Sequence, residues 1–202
     1  MDQKRTKAEL QRLAVEIRKV DLGLTEFERL CPYRLAEEHG TAVYSIEELA
    51  AYGCPQDAID YFSAQHPESW SAALIPDGTG RFIVENTVHL PRRRRSNVAH
   101  EVAHLLLEHE LDCVLLSDGQ SGCRNPASRS LEAEAAELAA ELLLPAAAAR
   151  RAAVAGKTDE QVADTFDVST ELARWRMNVS GARLIAQRAA NKRGRSSAKR
   201  PD

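Results

Sequence analysis

Residues 99–107 read Ala99-His100-Glu101-Val102-Ala103-His104-Leu105-Leu106-Leu107, and their spacing decides how the chain must fold. Two histidines four apart share one face of an α-helix, so both imidazoles can reach a single metal ion. Glu101 lies about 100° around that helix, where its carboxylate can hold a water beside the metal rather than bind the metal. The chain has six His in 202 residues, and a shuffled version would contain this HExxH pattern roughly 0.016 times, so chance is a poor explanation. A helix capped at Ser96 or Asn97 follows, with Val98, Val102, Leu105 and Leu106 turned towards a core.

A catalytic zinc site takes three protein ligands and keeps a fourth position open for water. Metzincins place Gly three and His six residues beyond the second histidine. Leu107 and Glu110 stand there instead, which excludes that class. His109 falls on another helical face from His104. A second helix, expected from Arg129 to Leu144, carries Glu132, Glu134, Glu137 and Glu141. The last three fall within about 60° of one another, the pattern of a solvated acidic stripe. Glu132 points the opposite way, among Ala136, Ala139 and Leu143, where a lone carboxylate is costly to bury unless paired. A metal would pair with it, and the alanines would let this helix approach the motif helix. Glu132 is therefore the candidate third ligand, with Asp112, Asp118 and Glu134 as alternatives. Two imidazoles and one carboxylate favour zinc over manganese.

Working outward, Thr6-Lys7-Ala8-Glu9 is a capping box ahead of apolar Leu10, Leu13, Ala14 and Ile17. A short helix is expected from Tyr33 to His39, a strand near Thr41–Tyr44, and helices opening at Ser45 and at Gln56. Trp70–Ile75 and Arg81–Glu85 read as two strands of a hairpin around Pro76-Asp77-Gly78-Thr79-Gly80. Residues 110–128 look loop-like, and the nine residues between Cys113 and Cys123 allow a disulfide without demanding one. Further helices are expected over Ala146–Ala155, from Thr158 through Phe166, and from Ser169. Gln161–Met177 has a helix–turn–helix rhythm, which in most proteins is only core packing.

Thirty-two alanines and 5% aromatic residues predict a mostly helical chain with close helix contacts. The cysteines show no CxxC spacing, which excludes zinc ribbons and thioredoxin-type motifs. The N-terminus lacks an apolar leader block and no stretch is long enough to span a membrane, so a cytoplasmic protein is expected. The net charge of −3 hides an asymmetry: residues 183–202 carry +6, leaving −9 on the first 182. That basic end, with Gly194, Ser196, Ser197 and Pro201, reads as a disordered tail; it could add weak, salt-sensitive attraction for nucleic acid, although direct nucleic-acid binding is not the expected role. Arg92–Arg95 could likewise form a nucleic-acid patch, but a charged lead-in to the motif helix is the simpler reading.

Tyr33–Gly40, the arginine-rich lead into Ala99–His104, Glu132–Pro145, Val162–Ser169 and Arg174–Asn178 together resemble the ImmA/IrrE zinc metallopeptidases over about residues 30–181. The chain departs from their pattern at Ala136, Leu138 and Ser96, where Asn, Phe and Phe are usual. The resemblance implies an α+β fold: a mostly helical, zincin-like domain with a small antiparallel hairpin packed near the HExxH helix. It divides the chain into a helical extension (1–30), the peptidase domain (31–182, its end a helical hairpin from 156) and the basic tail (183–202). It implies one zinc ion held by His100, His104 and Glu132, with Glu101 as the general base. His109, Arg174 or Arg176 could steady the oxyanion, since no Tyr follows Tyr61. The strand Arg81–Glu85 could offer an edge to an extended peptide. The implied substrate is a helix–turn–helix repressor in a stress, phage or mobile-element response. The competing expectation is a non-catalytic DNA-binding or regulatory module with a structural or vestigial metal site.

Overall fold

The computed structural model describes residues 5–109 and 126–197. Helix α1 (Lys7–Val20) starts at Thr6, whose side chain accepts from the Glu9 N–H while Glu9 accepts from the Thr6 N–H. That reciprocal cap satisfies two amides that would otherwise lack partners. Helix α2 (Pro32–Glu38) begins on proline, and Gly40 at φ 64° turns the chain out of it. Strand β1 (Val43–Ser45) follows, then a 3-10 turn (Glu47–Tyr52) and α3 (Gln56–Asp60), which widens over Tyr61–Gln65 as the His66 N–H reaches back to the Tyr61 carbonyl.

Strands β2 (Ala72–Asp77) and β3 (Gly80–Glu85) pair antiparallel around the Asp77–Gly80 turn, and β1 joins β3 in parallel. The order β1-β3-β2 puts β3 in the centre. The sequence suggested that an extended peptide adds to Arg81–Glu85, but β3 is flanked on both sides; among the described residues the strand beside the motif helix with an unpaired side is β2. Alternation divides the two faces. Leu74 and Ile83 enter the main core, while Ala73 and Val84 pack with Ile46 and Trp70 in a smaller cluster.

Helix α4 (Pro91–Leu106) carries the HExxH motif and starts five residues earlier than the Ser96 cap expected from sequence. Proline at its first position presets φ, and the arginines that follow are good helix formers. Their charge is dispersed because they meet partners on several separate segments. Arg92 bonds Asp164 and Asp167, Arg93 bonds Glu68, Arg94 bonds Glu85, and Arg95 bonds the carbonyls of Leu30 and Asp167. The four arginines thus bind the motif helix to its surroundings instead of presenting one basic surface.

Helix α5 (Pro126–Leu143) packs on α4, and Val98, Ala99, Val102 and Ala103 of α4 share one buried core with Ala135, Leu138, Ala139 and Leu142 of α5. Small residues on both sides allow the close approach that the motif requires. α1 packs on α5 from outside, and α6 (Ala146–Val154), α7 (Asp159–Phe166) and α8 (Thr170–Val179) complete the main core with Ala149, Val162, Phe166 and Met177. α7 carries the capping box at Thr158 and Gln161, and Ser169 caps α8.

Two further expectations are overturned. Glu134, Glu137 and Glu141 are buried, not a solvated stripe. Donors and cations brought by other segments compensate this burial: the Arg5 backbone N–H donates to Glu134, Lys7 pairs with Glu137, and Arg176 bonds both Glu137 and Glu141. The basic end is also not a disordered tail as far as Ser197, because it forms α9 (Ala182–Ser197) against α6. Ala182, Ala186 and Ala189 recur at helical spacing on its more buried side. The expected loop at 110–125, with Asp112, Asp118, Cys113 and Cys123, lies outside the described residues. Among the described residues no helix is long and apolar enough to cross a membrane.

Candidate metal centre

Helix α4 supplies His100 and His104 from one face, and α5 supplies Glu132 from its first half. The donor atoms of these three residues all lie within 4.8 Å of one another. His100 Nε2 is 3.1 Å from His104 Nε2 and 3.0 Å from Glu132 Oε2, while His104 Nε2 is 3.3 Å from Glu132 Oε1. Tetrahedral zinc with bonds of about 2.0–2.2 Å separates its donors by roughly 3.3 Å, so the triangle is of the right size. The donor set also calls for a cation. Two imidazole nitrogens face each other across the cluster, and the buried Glu132 Oε1 has no hydrogen-bond donor. Three inward-facing lone pairs repel unless a cation or protons lie between them.

The electrostatics agree. Burial works against a charge on His100, but the hydrogen bond to Glu132 and the nearby carboxylates outweigh it and raise its affinity for a proton. Burial also opposes the charge of Glu132, yet the imidazoles of His100 and His104 beside it hold its carboxyl far below the usual range. The cluster therefore stabilises positive charge at its centre, which a divalent ion would supply in place of protons.

Glu101 stands beside this cluster on the next part of the α4 surface. Burial pushes its carboxyl up from the ordinary value, against the pull of His100 and His104. Its Oε2 accepts from the Leu74 N–H of β2 at 3.0 Å, which fixes the carboxylate against the sheet. No feature of the sequence near the motif indicates that contact, because it depends on where a separate hairpin lands.

The other residues singled out from sequence lie elsewhere. Arg176 is 1% exposed, and its guanidinium bonds Glu137, Glu141 and the Leu144 carbonyl. Arg174 is on the surface beside Asp159. His109 is buried behind His104, its Nδ1 at 3.0 Å from His104 Nδ1 and its Nε2 at 3.6 Å from Glu134 Oε2. Burial lowers its proton affinity. Asp167, which the sequence did not mark as important, sits at the left-handed end of α7 with φ 53° and pairs with Arg29, Arg92 and Arg95. It locks the start of α4 to the α7–α8 turn.

Comparison with known proteins places these residues in a family. The model of a peptidase family, described as the IrrE N-terminal-like domain, matches residues 36–178, more than half of the chain and all of the cluster. No curated protein gives a match.

Proposed function

The chain belongs to the IrrE N-terminal-like peptidase family, and from that premise we propose that it is a zinc-dependent endopeptidase with a narrow protein substrate. The observation that carries this reading is the convergence of His100, His104 and Glu132, with the Glu101 carboxylate beside them. His100, His104 and Glu132 would hold one zinc ion. Bound there, zinc would act as a Lewis acid, lowering the pKa of a water to about 7 and polarising the scissile carbonyl.

Glu101 then acts at its own oxygens. Oε2 is held by the Leu74 amide, and Oε1 is left to take the proton of the attacking water. The raised proton affinity that burial gives Glu101 suits a group that must also give the proton back, to the leaving amine nitrogen. Leu74 belongs to the outer strand β2, so the same strand that orients the base lies where an extended substrate would align by β-addition.

The substrate we favour is a helix–turn–helix repressor, and the setting a stress, phage or mobile-element response, as the family resemblance implies. Incubating the purified chain with repressors encoded in the same genome tests this. Cleavage that stops with chelator and returns with zinc supports it, and repressors left intact under every metal condition would count against it.

A further inference from the structure

The chain leaves α4 by a route that brings a third imidazole against that of His104. The Glu108 N–H donates to the Leu105 carbonyl at 3.0 Å, and the His109 N–H to the His104 carbonyl at 3.1 Å. This paired closure needs a residue in the left-handed region, usually glycine, and Glu108 takes that position with φ 55°. The next residue in such a closure normally makes an apolar contact back onto the last turn. Here it is His109, 3% exposed, and the contact it makes is with the ring of His104.

Two Nδ1 atoms 3.0 Å apart share one hydrogen, so one must donate and the other accept. We propose that His109 is a positioning residue for the metal centre: its bare Nδ1 accepts from His104 Nδ1–H and so fixes His104 in the tautomer whose Nε2 lone pair faces His100 and Glu132. The opposite arrangement would put a hydrogen on His104 Nε2, aimed at His100 Nε2 across 3.1 Å, with no lone pair for a cation. The far side of His109 fits the first arrangement. Its Nε2–H faces Glu134 Oε2 at 3.6 Å, and Glu134 Oε1 in turn accepts from the Arg5 N–H at 2.8 Å. Glu134 is thus an outer support of the centre, not a ligand, and the chain of contacts runs from the cluster to the start of α1.

The inference rests on reading His100, His104 and Glu132 as a metal centre, and one experiment separates the two. The full chain is stripped of metal, and its zinc affinity is measured by competition with a chromophoric chelator. His109→Leu keeps the volume but loses the acceptor, while His109→Asn places an oxygen near the lost Nδ1. His109→Leu should weaken zinc binding about 10–100-fold, with His109→Asn recovering most of it. The metal-free melting temperature of His109→Leu should stay at or above that of wild type, since no packing is lost. Equal affinity of wild type and His109→Leu overturns this inference alone, as does a His109→Asn variant as weak as His109→Leu. A wild-type chain that binds no zinc overturns the metal centre as well. If His109→Leu does not fold, long-range proton–nitrogen spectra of the zinc-loaded wild type decide. A hydrogen on His104 Nδ1 supports the inference, and zinc on that nitrogen overturns it.

Discussion

Glu101 shows how much of this molecule's chemistry depends on single side chains. It is half-buried, anchored at one oxygen by Leu74 and flanked by two imidazoles. Exchanging Glu101 for Gln removes the proton acceptor while leaving the size of the group and the metal ligands intact. The expected result is unchanged zinc content with kcat/KM for the cleaved substrate reduced by about 10²–10⁴-fold, read from initial rates and metal analysis of one preparation. Tyr33 gives a separate residue-scale expectation. Burial, together with its hydrogen bond to Glu85, raises its phenol to about 12. An acid whose folded-state pKa lies above its unfolded value favours the fold while protonated. That contribution is complete below about pH 10 and is lost as pH rises towards 12. Tyr33→Phe should therefore flatten the alkaline end of the stability profile, followed by denaturant midpoints between neutral and high pH.

At the scale of elements, α4 and α5 were legible from sequence in part. Spacing alone puts His100, Glu101 and His104 on one helix, because that argument concerns local geometry; the burial argument that pointed to Glu132 does not hold, since its side chain is 40% exposed and Ala136 lies on the exposed side of α5. What escaped was anything requiring a partner from elsewhere. The acidic residues of α5 have the angular clustering of a solvent face, but Arg176 from α8 and Lys7 from α1 turn that face inward. Likewise Arg92–Arg95 look like a patch only until their separate partners are known. Removing Arg176 leaves two carboxylates buried without it, so Arg176→Met should cost about 3–5 kcal/mol in urea unfolding. Adding Glu137→Gln and Glu141→Gln should recover part of the loss. The end of α4 makes the opposite prediction. Glu108 is held in a conformation that suits glycine, so Glu108→Gly should gain about 1 kcal/mol of stability. Zinc affinity should not change, because the turn that carries His109 is kept.

On the scale of the whole molecule, the −3 net charge conceals an acidic body and a basic C-terminal end, and structure changes what that end is. Seven Lys and Arg residues with Gly194, Ser196, Ser197 and Pro201 read as a charged tail, but the stretch is also rich in Ala and Arg, strong helix formers, and α9 packs on α6. Charge composition could not reveal this, since it ignores which residues face inward. The main core runs continuously from α1 to α8 through α4 and α5, so events at the His100–His104–Glu132 cluster should be felt globally. A ligand that binds only the folded state stabilises it by about 4.1 kcal/mol at a thousandfold excess over its Kd. Chelator should accordingly lower the melting temperature of the purified chain, and added zinc should restore it.

The central claim, that His100, His104 and Glu132 hold a zinc ion which Glu101 exploits for peptide hydrolysis, is tested most directly by metal stoichiometry measured together with cleavage in three proteins. The wild type and Glu101→Gln should each carry one zinc per chain and Glu132→Ala essentially none, with cleavage confined to the wild type. A full zinc complement in Glu132→Ala, or cleavage by Glu101→Gln at the wild-type rate, would contradict it.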